Sequence, residues 1–199
     1  MNKKGKVFII IGVFLVMLSL TMMIYNKYEE VEAGNNSKEA LSLIKTELEN
    51  NQDDSMMQTL LNNNEVKEMK TTKINGYDYI GTITIPELKL ELPVMSEYDY
   101  TRLKKSPCRY YGSVYTNDLI ICAHSYRTHF KYLDKLKQND VVAFTDIDGN
   151  NYFYEVLEIE ILKPTDVEKM INNDFDLTLY TCTGDGNNRI TVRCNRVEL

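Results

Sequence analysis

LTLYTCTGDGNNRITVRC, residues 177–194, is the stretch on which the reading of this chain turns. An apolar run, LTLYT, ends on Cys182. The polar segment GDGNN follows, and NRITVRCNRVEL then alternates to the end of the chain. Two strands joined by so short a turn run antiparallel, so their ends at the turn lie side by side. That places Arg189, which opens the second strand, beside Cys182. Arg193 shares its strand face by the period of two but lies about 13 Å farther on, at about 3.3 Å per residue.

Working back along the chain, DVVAFTDIDGNNYFYEVLEIEIL (140–162) reads as a hairpin turning at Asp148-Gly149-Asn150. DLIICAHS (118–125) reads as a short buried strand. NGYDYIGTITIPELKLELPVM (75–95) alternates on either side of a break near Pro86. KPTDVEKMINN predicts a short helix capped by Thr165 or Asp166. The sum is seven or eight short strands with helices only in connections. The expected class is all-β, a sandwich or a closed barrel. Fourteen Tyr among 199 residues suit that class.

The other strong signal lies at the opposite end. VFIIIGVFLVMLSLTMMIY, residues 7–25, carries no charge over a length that spans a hydrocarbon core of about 30 Å. Lys3, Lys4 and Lys6 precede it and Glu29, Glu30 and Glu32 follow. The positive-inside rule then puts the N-terminus in the cytoplasm and the rest outside. The run is longer than the apolar region of a cleaved signal peptide, and VEA at 31–33 is a poor cleavage site. The expected organisation is a cytoplasmic tail (1–6), a membrane anchor (7–25), an extracytoplasmic stalk (26–75) and a catalytic domain (76–199). Within the stalk, SKEALSLIKTELENN (37–51) predicts a short helix capped by Ser37. No chemistry is expected of the stalk.

The formal net charge of −6 argues against nucleic acid as a partner. There is no Walker A or dinucleotide glycine fingerprint, and no cofactor is expected. Four cysteines (Cys108, Cys122, Cys182, Cys194) and two histidines (His124, His129) hold the remaining chemistry. No C-x-x-C pair exists and the histidines are not spaced with cysteines as zinc ligands, so no metal is expected. An even cysteine count outside the cell admits two disulfides, with three possible connectivities. A domain of this size also builds a core without them. His124, like Cys182, ends an apolar strand at the mouth of the fold. A thiol and an imidazole at strand ends form a candidate nucleophile and base. The guanidinium of Arg189 stays protonated and suits a developing oxyanion. The alternative for His124 is a rim histidine satisfied by a backbone carbonyl.

These residues resemble the sortase family, whose signature is T-L-x-T-C followed by an arginine on the next strand. YIGTITIPELKLELPV resembles the family's first strand pair. LKKSPCRYYGSVYTNDLIICAHS resembles the stretch leading to its catalytic histidine, and HFKYLDKLKQNDVV the segment after it. The likeness runs in order over residues 77–199. It implies a closed eight-stranded sortase-type β-barrel and a cysteine transpeptidase. Cys182 would be the nucleophile, His124 the acid and base, and Arg189 the residue that holds peptide and oxyanion. Thr181, Ala123 and Ser125 would help place substrate. The substrate would be an LPxTG-like sorting-motif peptide of a surface protein, and the acceptor an amine of peptidoglycan or of a pilin subunit.

Ala123 stands where Gly is usual, Cys108 replaces the residue usual at its place, and the turn between Cys182 and Arg189 is short. The subclass suggested is class B-like or class D-like. Two further functions remain open at this point. One is a cysteine hydrolase that releases product to water. The other is a non-enzymatic, membrane-anchored β-barrel that binds a partner.

Overall fold

The computed structural model describes residues 3–51 and 68–198. Among the described residues nine strands form one sheet. They are β1 (Thr72–Ile74), β2 (Tyr77–Ile85), β3 (Leu90–Met95), β4 (Cys108–Tyr111), β5 (Leu119–Cys122), β6 (Val141–Asp146), β7 (Asn151–Leu162), β8 (Leu177–Cys182) and β9 (Arg189–Val197). The order is β1-β2-β3-β4-β5-β8-β9-β7-β6, and β6 pairs back onto β2. Eight strands, β2 to β9, thus close a barrel, and β1 is an extra strand hairpinned onto β2. Closure removes the open sheet edges that would otherwise pair with other chains.

The hairpins expected from the sequence are present. β2 and β3 are separated by a 3-10 turn at Pro86–Leu88, and β6 and β7 by the turn around Gly149. In β2 the alternation slips. A bulge between Tyr79 and Gly81 lets Ile80 as well as Ile83 and Ile85 reach the core. Gly81 permits this contact. Its φ is 151°, and a Cβ there would lie 2.1 Å from the Thr145 carbonyl oxygen. The barrel is filled by Val94, Ile121, Phe144, Val156, Leu179 and Val192, all fully buried. Each side chain of this kind stabilises the fold by about 1.5–3 kcal/mol through its burial.

Two pairings in the barrel are parallel. Only Met95 and Cys108 pair between β3 and β4. β5 and β8 pair over four residues, from Leu119 with Leu177 to Cys122 with Tyr180. Parallel neighbours end at the same rim, and the site is built there.

The N-terminal region differs from expectation. A single helix, α1 (Lys3–Asn51), runs through the apolar segment and on through the polar one without a break. Ser37 is not a cap. It is buried within α1, and its hydroxyl donates to the Lys105 carbonyl and lies 3.0 Å from His129 Nε2. Ala33, Ser37, Ala40 and Ile44 are buried at spacings of four, three and four, one stripe of a helix lying along the barrel. The stripe is made mostly of small residues, so the helix approaches closely. At Gly34 an added Cβ would meet Thr128 at 2.9 Å. Polar pairs flank the stripe: Lys104 with Glu29, Glu39 with Asn75, and Lys45 with Glu91. The part of the expected spacer from Glu29 to Leu48 thus lies against the barrel. The stalk reading of 52–67 lies outside the described residues.

Two short helices complete the fold, α2 (Tyr100–Leu103) and α3 (Val167–Ile171). Asp166 occupies the N-cap position of α3. Its carboxylate accepts from the Lys163 amide rather than from the helix, so neither Thr165 nor Asp166 caps as expected.

Candidate active site

The register of β5 and β8 sets the site. Cys122 faces Tyr180 across the parallel pair. The next residues keep that alignment. The Ala123 amide donates to the Tyr180 carbonyl at 3.2 Å, and the Thr181 hydroxyl donates to the Ala123 carbonyl at 2.8 Å. One residue on, both strands deliver their chemistry at the same level, His124 on one and Cys182 on the other. The antiparallel pairing of β8 with β9 makes Arg189 the direct cross-strand neighbour of Cys182.

The turn between them is closed by hydrogen bonds of its own. The Thr183 amide donates to the Asn188 carbonyl, and the Thr183 hydroxyl accepts from the Asn188 amide. Gly186 takes φ 76°, a left-handed conformation that favours glycine. Arg189 donates to the carbonyls of Asn188 (3.0 Å) and Gly186 (3.4 Å), which anchor the guanidinium at the rim while the residue stays half-buried.

A cleft of about 280 Å³ opens over these residues. Ala123, His124, Thr181, Cys182 and Arg189 all line it. Tyr98, Tyr100 and Tyr110 form an aromatic wall on one side, and the segment from Lys163 to Met170 stands on the other. Of the six residues expected at the site, Ser125 alone does not line the cleft. It lies just past the strand end and is half-buried. Thr181 is 1% exposed, so its main physical contribution is the bond that locks β8 to the end of β5. The tyrosine wall was not anticipated. The sequence SEYDY carried aromatic residues but no periodic signal of what they would face.

His124 is held by aromatic neighbours. Tyr126 stacks on it at 4.7 Å between centroids, and Tyr100 meets it edge-on at 5.7 Å. Its Nε2 is buried with no hydrogen-bond partner among the described residues. The alternative of a rim histidine satisfied by a carbonyl is thereby disfavoured at that nitrogen. Burial holds the His124 pKa below its ordinary value; Glu29 of α1 opposes this and Lys104 adds to it. An imidazole that lines a cleft with an unpartnered ring nitrogen is suited to acid and base work. No hydrogen bond joins it to the Cys182 thiol among the described residues. Such contacts commonly tighten only when substrate is bound.

The other cysteines are structural. Cys108, Cys122 and Cys194 are fully buried, and all four thiols are free. Burial drives the Cys122 and Cys194 pKa values up to about 12, so neither supplies a thiolate. Cys182 is the one cysteine that is not buried. Arg193 is also accounted for. It is 1% exposed and donates to the Glu160 carboxylate, the Thr178 hydroxyl and the carbonyls of Lys169 and Met170. It thus ties α3, one wall of the cleft, to the barrel. No cluster of three metal-ligating side chains occurs among the described residues.

A model of the sortase domain matches residues 83–197, which includes every side chain just placed at the cleft. The chain belongs to the sortase family. Solved sortases share its fold. A sortase D5 transpeptidase of Clostridium perfringens superposes with a TM-score of 0.61 at 20% identity, over 82% of this chain and 99% of that one. Sortase C1 of Streptococcus suis gives 0.53 at 28% identity, over 61% and 74%. Sortase C1 of GBS Pilus Island 1 gives 0.54 at 23%, over 61% of this chain, which spans 65% of that sortase's length. No curated protein matches this chain. Sortases are cysteine transpeptidases.

Proposed function

We propose that this sortase is a membrane-anchored transpeptidase in which Cys182, His124 and Arg189 carry the reaction. The observation that supports this most directly is the parallel register of β5 and β8, which carries past Cys122 to bring His124 level with Cys182, while Arg189 of β9 pairs with Cys182. The Cys182 thiolate attacks the carbonyl carbon of a sorting-motif peptide and forms the C–S bond. The oxyanion that develops is stabilised by the Arg189 guanidinium. As the tetrahedral adduct collapses, the C–N bond breaks and His124 gives its proton to the leaving amine. A thioacyl enzyme remains. His124 then takes a proton from an incoming amine, which attacks the thioacyl carbon and releases the thiolate.

The motif is LPxTG-like, its donor a surface protein, and the acceptor an amine of peptidoglycan or of a pilin subunit. Thr181 and Ala123 shape the wall nearest the thiol, and Ser125 acts from outside it. The apolar part of α1, residues 7–25, crosses the membrane with the N-terminus in the cytoplasm, and residues 76–199 form the catalytic domain on the wall side. Among the described residues one helix is long and apolar enough for that crossing, and its most apolar window is wholly unburied.

The test is a set of motif peptides incubated with the protein, with and without an added amine such as triglycine. Amine-dependent product that disappears in Cys182→Ala supports the reading. Product formed only with water would make the protein a hydrolase, and turnover that survives Cys182→Ala would remove the assignment.

A further inference from the structure

α1 touches the chain on both sides of His124. Before it, Cys122 closes β5 and lines the cleft. Cys122 is buried in one cluster with Ala40 and Ile44 of α1 and with Met95, Leu103 and Cys108. After it, residues 127–129 lie against the helix. The Arg127 amide donates to the Glu30 carboxylate at 2.8 Å, and the Thr128 hydroxyl donates to the Glu30 carbonyl at 3.5 Å. Gly34 packs so closely on Thr128 that an added Cβ would lie 2.9 Å from its methyl group. The Ser37 hydroxyl lies 3.0 Å from His129 Nε2. Glu30, Gly34 and Ser37 follow at spacings of four and three, one face of the helix.

The loop held in this way is tied to the histidine. The Phe130 amide donates to the His124 carbonyl at 3.3 Å, and the amides of His129 and Lys131 donate to the Tyr126 carbonyl. Tyr126 is the ring stacked on His124. A displacement of residues 127–129 therefore carries Tyr126 and His124 with it. A second route runs through the segment after α2. Ser37 donates to the Lys105 carbonyl, and Glu29 pairs with Lys104 at 2.7 Å. Lys104 Nζ lies 5.4 Å from the centre of the Tyr100 ring, which meets His124 edge-on. Both rings that flank the imidazole are thus backed by α1. His124 depends on that backing. Its Nε2 makes no hydrogen bond among the described residues, so the packed rings orient that end of the imidazole.

We infer that Glu30, Gly34 and Ser37 of α1 are positioning residues for His124, so that the helix carrying the apolar segment is also a strut of the active site. The inference rests on the catalytic reading of His124 and deepens it. Proton transfer requires the imidazole within hydrogen-bond reach of the leaving or entering amine. A misplacement of 1 Å can cost about 10²-fold in rate. Arg127 and Thr128 do not line the cleft, so losing their grip on α1 alters turnover and leaves peptide binding as it was.

The test uses the full chain in detergent micelles with motif peptides, at temperatures well below the melting point of each variant. Glu30→Ala removes the acceptor of the Arg127 amide, while Glu30→Gln keeps an oxygen there. The expected result is a fall in kcat of about tenfold in Glu30→Ala with KM unchanged, and recovery of most of it in Glu30→Gln. Ser37→Ala, a milder change, is expected to lower kcat in the same way. Each is then combined with His124→Gln. A residue that acts through His124 costs nothing further once the imidazole is gone, whereas one that merely supports the fold costs the same in both backgrounds. Equal losses in the two backgrounds, a loss confined to KM, or native kcat in both Glu30→Ala and Ser37→Ala overturns the inference. If His124→Gln is itself impaired while both α1 variants turn over normally, this inference alone has failed. If His124→Gln turns over like the native chain, the catalytic reading has failed.

Discussion

His124 and Cys182 stand at the same level on neighbouring strands because β5 and β8 run parallel in a register that pairs Cys122 with Tyr180. Parallel strands leave the sheet at one rim, so a single register sets the separation of thiol and imidazole. Cys182→Ala is expected to abolish turnover, and His124→Gln to reduce kcat/KM by about 10²–10⁴-fold. Both variants should melt near the native temperature, since neither residue fills the core. Steady-state assays with a motif peptide, paired with thermal melts, check both.

Arg189 is anchored by the carbonyls of Asn188 and Gly186 and faces Cys182 across the hairpin. A charge aimed at a developing oxyanion acts in the transition state more than in the ground state. Arg189→Ala is expected to lower kcat by about 10²–10³-fold. Arg189→Lys keeps the charge but loses the planar fork, and should recover only part of that loss. Separate determination of kcat and KM distinguishes this from a simple binding defect.

The charges of Glu29 on α1 and of Lys104, just past α2, reach His124 with opposite signs. Glu29 raises its pKa and Lys104 lowers it, against the larger lowering by burial. Glu29→Gln is expected to move the His124 titration to still lower pH, and Lys104→Gln to move it upward. The limb of the pH–rate profile carried by His124 should shift in the same two directions. NMR titration of the imidazole ring proton checks the sign of each. Shifts of the same sign in both variants would refute the account.

His129 is fully buried against Ser37, and burial lowers its pKa from 6.5 to about 4. The folded protein therefore resists a proton that the unfolded chain accepts. Its contribution to stability is complete above pH 6.5, falls as the pH drops toward about 4, and changes no further below that. The loss across the window is about 3 kcal/mol. His129→Gln should flatten the dependence of the melting temperature on pH between 6.5 and 4. Because His129 touches α1, the same acidification should loosen the helix from the barrel, which hydrogen exchange at residues 33–44 would report.

Arg193 pairs with Glu160 and reaches α3 through two carbonyls while almost wholly buried. Removing it leaves the partners of a buried charge unsatisfied. Arg193→Ala is expected to cost about 3–5 kcal/mol. It should also raise KM, because α3 walls the cleft. Denaturant melts give the first quantity and peptide titrations the second.

Much of the barrel was legible in the sequence because its strands are short, alternating and separated by Gly, Asn and Asp turns. The hairpin from Leu177 to Val197 located Cys182 and Arg189 together, and DLIICAHS placed His124 at a strand end. Three features were not legible, each for a physical reason. Docking of α1 depends on Ala33, Ser37 and Ala40, small residues without the apolar bulk that marks a buried face. The bulge at Gly81 breaks the period of two by one residue, and a single glycine does not announce which carbonyl it must approach. Two tyrosines of the wall, Tyr98 and Tyr100, come from the connection between β3 and β4, whose course is set by the barrel rather than by its own pattern. Arg193, expected on the strand face of Arg189 but farther along it, has its side chain turned to the α3 carbonyls.

The rim where β5 and β8 end also receives the connection before β8 and the turn before β9. None of these segments carries the register of the barrel. Their lengths can change at small cost, since doubling a flexible loop adds only about 0.6 kcal/mol of closure entropy. The 163–176 segment, whose residues from Lys163 to Met170 line the cleft, can thus change in length and composition while Cys182, His124 and Arg189 keep their places. The scaffold lets one wall of the cleft vary without disturbing the three side chains at its rim.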